Sequence, residues 1–180
     1  MKKGFTLVEL LAVIVILALI MSIAIVSIGG VLNSARQSTF KETAASIIEG
    51  VRQQVTLANQ LPASGSESYV FQANILEKGG TSPLGGDIQF VTGISNGKVN
   101  MSTNGTNEQA ATAIGSMGIY KITGEVPSCG DSVVSYVTIT RGNNNVYAYS
   151  ICLTAGAGYK YINGTYDELL DTNNTSVIKP

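Results

Sequence analysis

The stretch Leu10–Ile28 reads LLAVIVILALIMSIAIVSI, nineteen consecutive residues without a charged side chain. Ser22 and Ser27 are its only polar interruptions. Counted from Phe5, the apolar run forms a helix of roughly 30–36 Å at about 1.5 Å per residue. That length matches the hydrocarbon core of a bilayer, which is about 30 Å thick. The run therefore predicts a helix that can span a membrane.

Three interpretations of this run compete: a secretory signal peptide, a single-pass membrane anchor and a fully buried helix. The run is longer than the roughly 7–15 apolar residues of a signal-peptide core, and no cleavage site of small residues ends it. The remainder of the chain is about 150 residues, too few to bury so apolar a helix on all sides. Lys2 and Lys3 precede the run, which favours a cytoplasmic N-terminus and an outward-facing remainder from about residue 31. The anchor is the favoured interpretation.

The composition narrows the possible functions. Eleven basic residues against twelve acidic ones give a net charge of −1, which does not suggest a protein that coats nucleic acid. There is no histidine, the commonest general base and metal ligand, and two cysteines alone do not make a Cys/His zinc site. We therefore expect no enzyme, no cofactor and no metal site. The acidic residues Asp167, Glu168 and Asp171 do not have the spacing of an EF-hand and are interpreted as a solvated turn.

Glu9 is a carboxylate inside the apolar run, between Val8 and Leu10. A charge in the centre of a membrane helix costs about 2.5–3.5 kcal/mol on insertion scales, and such residues usually serve a function. One interpretation is that Glu9 has a cationic partner. The alternative is that it lies in the headgroup layer at the helix start, where the helix dipole tolerates an acid.

The sequence Lys2-Lys3-Gly4-Phe5-Thr6-Leu7-Val8-Glu9, followed by the apolar run, resembles the class III signal of type IV prepilins and pseudopilins. The resemblance covers roughly residues 1–30. It implies that a membrane prepilin peptidase cuts between Gly4 and Phe5 and methylates the new amino terminus of Phe5. It also implies an assembly role for Glu9, whose carboxylate would pair with the Phe5 amine of a neighbouring subunit.

The resemblance further implies a pilin: a structural subunit that polymerises with itself into a type IV pilus filament. Its expected partners are the prepilin peptidase, the pilus assembly platform and its ATPase, and the prokaryotic cytoplasmic membrane before assembly into a surface filament. Adhesion, motility or DNA uptake follow from the family only, and direct nucleic-acid binding is not expected because the basic residues are scattered. The alternatives are a pseudopilin of a type II secretion or competence system, and a minor or tip adhesin. Val26 stands where many relatives have proline, so a kink would have to arise at Gly29-Gly30.

We expect four regions: a leader at residues 1–4, a membrane or filament-core helix at 5–30, an amphipathic half-helix at 31–60 and a β-rich head at 61–180. The amphipathic half is predicted because apolar residues recur every three or four positions. Its polar positions include Lys41 and Glu42. A coiled coil is the competing interpretation, and Pro62 marks the end of the helix, which is expected near Asn59. The apolar stripe consists of Phe40, Ala44, Ile47, Ile48, Val51, Val55 and Ala58.

The head is expected to be an antiparallel sheet, which together with the long helix makes an α+β pilin fold. Asn96-Gly97 predicts a two-residue hairpin turn between Ile94 and Val99. Residues 60–87 and 101–117 are rich in Gly, Ser, Asn and Thr and are interpreted as loops. The predicted strands are Tyr69–Leu76, Ile88–Ile94, Lys98–Ser102, Gly118–Thr123, Val133–Thr140, Val146–Leu153 and Tyr159–Ile162.

Cys129 and Cys152 are the two cysteines of the chain. An outward-facing head permits oxidation, and an even count favours a disulfide between them, with two reduced structural cysteines as the alternative. Many pilins join a C-terminal loop with such a bond. If Val133–Thr140 and Val146–Leu153 form a hairpin with Val134 opposite Cys152, Cys129 lies just before the first strand.

Overall fold

The computed structural model describes residues 6–73 and 80–180. The predicted processing residues Gly4 and Phe5, and the end of the predicted strand Tyr69–Leu76, lie outside these ranges. In chain order the elements are α1 Leu7–Leu57, β1 Ser66–Phe71, β2 Lys98–Asn100, β3 Glu108–Ile114, β4 Ile119–Ile122, β5 Tyr136–Arg141, β6 Tyr147–Leu153, β7 Tyr161–Thr165, α2 Tyr166–Leu170 and β8 Ile178–Lys179. A long helix followed by an antiparallel sheet is the predicted α+β, pilin-like layout, and the prediction is confirmed.

The chain divides into two compact units, Met1–Arg36 and Gln37–Pro180. In its described part the first unit is helical, and its large apolar side chains are exposed on every side; Leu17, for example, is 52% exposed. The helix continues without interruption through Gly29-Gly30. Among the described residues, no group other than the adjacent residues and the backbone of the helix lies within 4 Å of a Cβ built on either glycine. The described side chains of the first unit therefore form no core of their own.

In the second unit, the part of α1 from Gln37 onward packs on the sheet through the predicted apolar stripe. Phe40, Ile47 and Val51 are completely buried, and Ala58 is partly buried at the end of the stripe. The last residue of the helix is Leu57, and Asn59, just beyond it, has a φ of 53°. The N–H of Gln60 donates to the carbonyl of Val55 at 2.9 Å, and the N–H of Asn59 donates to the carbonyl of Thr56 at 3.0 Å. These two bonds form a Schellman motif, which satisfies carbonyls at the helix end.

The sheet has eight strands in the order β2-β3-β4-β1-β5-β6-β7-β8, and all neighbouring pairs are antiparallel. The predicted hairpin of β5 and β6 is present, with Arg141 paired to Tyr147 across the turn. Its register is not the predicted one, because Tyr136, and not Val134, lies opposite Cys152. The difference is two residues, so the same side chains still face the core.

Two other predictions about the strands were wrong. Residues 88–94 do not form a strand; Ile88 and Val91 are buried, and Phe90 packs edge-to-face on Phe71 with ring centroids 5.7 Å apart. The stretch 101–117, interpreted as a loop, contains β3. In both places the packing of neighbouring segments overrides the local composition.

The Asn96-Gly97 turn forms as predicted, but it does not join two long strands. Ser95 and Lys98 exchange two backbone hydrogen bonds of 2.9 Å, and both turn residues have a positive φ. On the far side of the turn, β2 pairs with β3. The turn therefore directs the chain into the edge strand of the sheet.

Candidate functional site

Glu9 lies in the first turn of α1, and its carboxylate binds Thr6. The backbone N–H of Thr6 donates to Oε2 of Glu9 at 2.8 Å, and the Thr6 hydroxyl donates to the same oxygen at 2.9 Å. In return, the N–H of Glu9 lies 3.3 Å from Oγ1 of Thr6. This reciprocal arrangement is a capping box, which satisfies N–H groups that the first helical turn leaves without a partner.

Thr6 is a site residue that the sequence reasoning missed. The signal was present, because Thr6-Leu7-Val8-Glu9 has the Ser/Thr-x-x-Glu spacing of a capping box directly before an apolar run. Among the residues that the structure describes, Thr6 is the hydrogen-bond donor to Glu9, and both bonds reach one carboxylate oxygen. The predicted partner of Glu9, the amine of Phe5, lies outside the described residues.

The helix that follows Glu9 is long and apolar enough to cross a membrane, by its length and composition. Its exposed apolar side chains extend from Leu7 to Leu32. Because they surround the helix, they present an apolar surface in every direction, unlike the single stripe of a helix on a soluble core. Chemically, this segment suits lipid or a bundle of similar helices.

The two cysteines lie in the second unit and are joined by a disulfide bond, with their Cα atoms 5.5 Å apart. Cys152 is buried in β6, whereas Cys129 lies in the segment between β4 and β5. That segment contributes Val134 to a second, smaller apolar cluster, and its Val126 and Val133 pack against the same cluster. The bond therefore ties this segment to an interior strand of the sheet.

The acidic residues near α2 act as local caps. Thr165 and Glu168 form a second capping box, in which the N–H of Thr165 donates to Oε2 of Glu168 at 2.8 Å. These hydrogen bonds from Thr165 to the charged carboxylate lower the pKa of Glu168. The carboxylate of Asp171 accepts a hydrogen bond from the N–H of Asn173 at 3.0 Å. The hydrogen bonds of Glu168 and Asp171 therefore stabilise the start of α2 and the turn that follows it.

A family model described as the prokaryotic N-terminal methylation motif matches residues 1–31. Neither a curated protein nor a solved structure matches the chain significantly. The family match supports a type IV prepilin-like class III signal peptide over residues 1–31. Together with the pilin-like layout, the motif supports a pilin- or pseudopilin-like precursor. It implies processing by a prepilin peptidase and fits a membrane-anchored form.

Proposed function

We propose that this chain is a structural subunit of a type IV pilus, and not an enzyme. The prepilin peptidase cuts it between Gly4 and Phe5 and methylates the amino group of Phe5. The subunit then waits in the cytoplasmic membrane and polymerises through its apolar helix into a surface filament. The observation that carries this proposal is the methylation motif over residues 1–31, leading directly into a helix whose apolar side chains are exposed on all sides.

The energetics of the apolar helix support storage in lipid followed by extraction. Transfer of Leu7–Leu32 from lipid to a bundle of identical helices exchanges one apolar environment for another, so hydrophobic burial contributes little to the direction of the step. Exposure of the same side chains to water is strongly unfavourable. Assembly therefore needs an external energy source, which the family supplies as a cytoplasmic ATPase acting through the assembly platform.

Glu9 is the proposed assembly residue, and the capping box supports that role. A carboxylate in an apolar bundle is very unfavourable unless it is both hydrogen-bonded and neutralised. Thr6 supplies hydrogen bonds but no charge. The methylated amine of Phe5 on a neighbouring subunit would supply the missing positive charge and set the axial register between the two helices.

The test is the processing of Gly4 variants. We expect Gly4→Val to leave full-length protein in the membrane without filaments, because a branched side chain keeps the backbone from the peptidase cleft. Gly4→Ala, which adds a single methyl group, is the matched control and should retain part of the processing. Mass spectrometry of sheared wild-type filaments should find N-methylated Phe5 as the first residue.

A mature chain that starts at another residue would contradict the proposed processing. Normal processing without surface filaments that contain this chain would leave a pseudopilin as the function. Abundance in the sheared fraction separates a major subunit from a tip adhesin, because a tip protein is present in few copies per filament.

A further inference from the structure

Lys41 is a buried lysine on the helical part of the second unit, although its position in the sequence predicted a solvent-facing residue. It is 4% exposed. Its Nζ donates to the backbone carbonyl of Asp171 at 2.6 Å and to that of Asn174 at 3.1 Å. None of the ion pairs within residues 6–73 and 80–180 includes Lys41. Its ammonium group is therefore bound by backbone carbonyl groups. A buried charge is tolerated only when it is hydrogen-bonded. Loss of these two hydrogen bonds would therefore be strongly unfavourable while the ammonium stays buried.

The two carbonyls belong to residues 171–179, which we name the cover segment. Its turns are fixed internally, because the N–H of Asn174 donates to the carbonyl of Asp171 at 3.2 Å. The N–H of Ser176 donates to Oδ1 of Asn174 at 3.0 Å. The cover segment therefore presents two preformed carbonyl acceptors to Lys41.

The cover segment lies along β7. Its strand β8 pairs with Tyr161 and Ile162, and the N–H of Asn163 donates to the carbonyl of Val177 at 2.9 Å. Val177 is buried, and a Cβ added at Gly164 would lie 2.6 Å from Cγ1 of Val177. Residues 171–179 thus cover the side of β7 that is not paired with β6.

We propose that Lys41 is a latch that keeps the cover segment closed over the edge of β7. The pairing of β8 is only two residues long, so on its own it holds the segment weakly. An uncovered edge strand exposes N–H and C=O groups to which a strand of another chain can add. The latch prevents this wherever copies of the head are crowded together. This role is independent of the proposed filament function.

The test is hydrogen exchange measured by mass spectrometry on the full chain in detergent micelles. Lys41→Met keeps the length of the side chain and removes its donors, so peptides from residues 171–179 and 161–165 should exchange about tenfold faster or more. Peptides from β4 and β1 should be unchanged. Lys41→Arg restores donors and should return the exchange most of the way to wild type. Glu42→Gln, at the adjacent exposed position, is the matched control and should have no effect.

A second variant opens the cover without touching Lys41. In Gly164→Ala the new methyl group would overlap Val177, so the same two peptides should exchange faster while Lys41 remains intact. The proposal is overturned if Lys41→Met accelerates exchange evenly over the whole head, which is the behaviour of a general stability contribution. It is equally overturned if Lys41→Met leaves residues 171–179 as protected as in wild type.

Discussion

The two parts of α1 use apolar side chains in opposite ways. Up to Arg36 the described large apolar side chains are exposed all around the helix, as Ile16 is at 56%. From Gln37 onward the stripe from Phe40 to Ala58 faces the sheet, and Ile48 in that stripe is 1% exposed. The first part of α1 therefore needs apolar surroundings from outside the chain. The second part packs its apolar face on the sheet of the same chain.

This difference shows how the periodicity of apolar residues reports on the surroundings of a helix. A stripe at intervals of three and four residues indicates a helix with water on one side and a core on the other. An uninterrupted apolar run indicates lipid or other copies of the same helix. The same type of side chain therefore contributes to folding in the second part and, in the proposed function, to filament assembly in the first.

The largest expected effect concerns Glu9 in the first part of the helix. Glu9→Val removes the carboxylate, so membrane insertion and cleavage after Gly4 should continue while filament assembly is lost, because the incoming amine has no partner. Glu9→Gln should give an intermediate yield, since it accepts hydrogen bonds without cancelling the charge. The measurement is the filament yield in sheared fractions beside the processed fraction in membranes.

Thr6→Val is the matched control for Glu9, because it removes the side-chain part of the capping box and keeps the carboxylate. If charge pairing sets the register, this variant should assemble better than Glu9→Val. Assembly of Glu9→Val at the wild-type level would show that carboxylate–amine pairing does not register the subunits. The headgroup-layer interpretation of Glu9 would then be the better one.

A smaller effect, on the stability of the head, is expected when one isoleucine in each part of the helix is replaced by alanine. Ile48→Ala leaves a cavity between the helix and the sheet and should lower the free energy of unfolding of the head by about 2–5 kcal/mol. Ile16→Ala lies in the exposed part and should leave that free energy unchanged. Denaturant unfolding of both full-length variants in the same detergent, followed by tyrosine fluorescence, measures the contrast. Equal effects from both variants would refute the division of roles.

An effect of no more than similar size is expected from loss of the Cys129–Cys152 bond, which lies within the head. Because the bond closes a loop of roughly 20 residues, its loss in the double variant Cys129→Ala/Cys152→Ala should cost about 3 kcal/mol in the chain-entropy description. Non-reducing peptide mapping of the wild type should recover both cysteines linked within one chain. A reductant should destabilise the wild type and not the double variant; free thiols in the isolated wild-type protein would contradict the bond.

The sequence by itself determined the features that depend on contiguous residues. The apolar run, the four-residue spacing of Phe5 and Glu9, and the stripe from Phe40 to Ala58 each follow from the local order of side chains. Transfer free energy and helical periodicity are properties of neighbouring residues, so they can be predicted without knowing the fold. The capping box of Thr6 and Glu9 belongs to the same group, although it was not predicted.

Only the tertiary structure decided which distant residues meet. The strand β3, with the sequence EQAATAI, has weak strand propensity and forms because β2 and β4 pair with it on both sides. Tyr136 is placed opposite Cys152 by the pairing of whole strands, and Lys41 is buried because carbonyls 130 and 133 residues away reach its ammonium. Sheet register and the burial of a polar group depend on partners far away in the sequence. Local composition does not predict those partners.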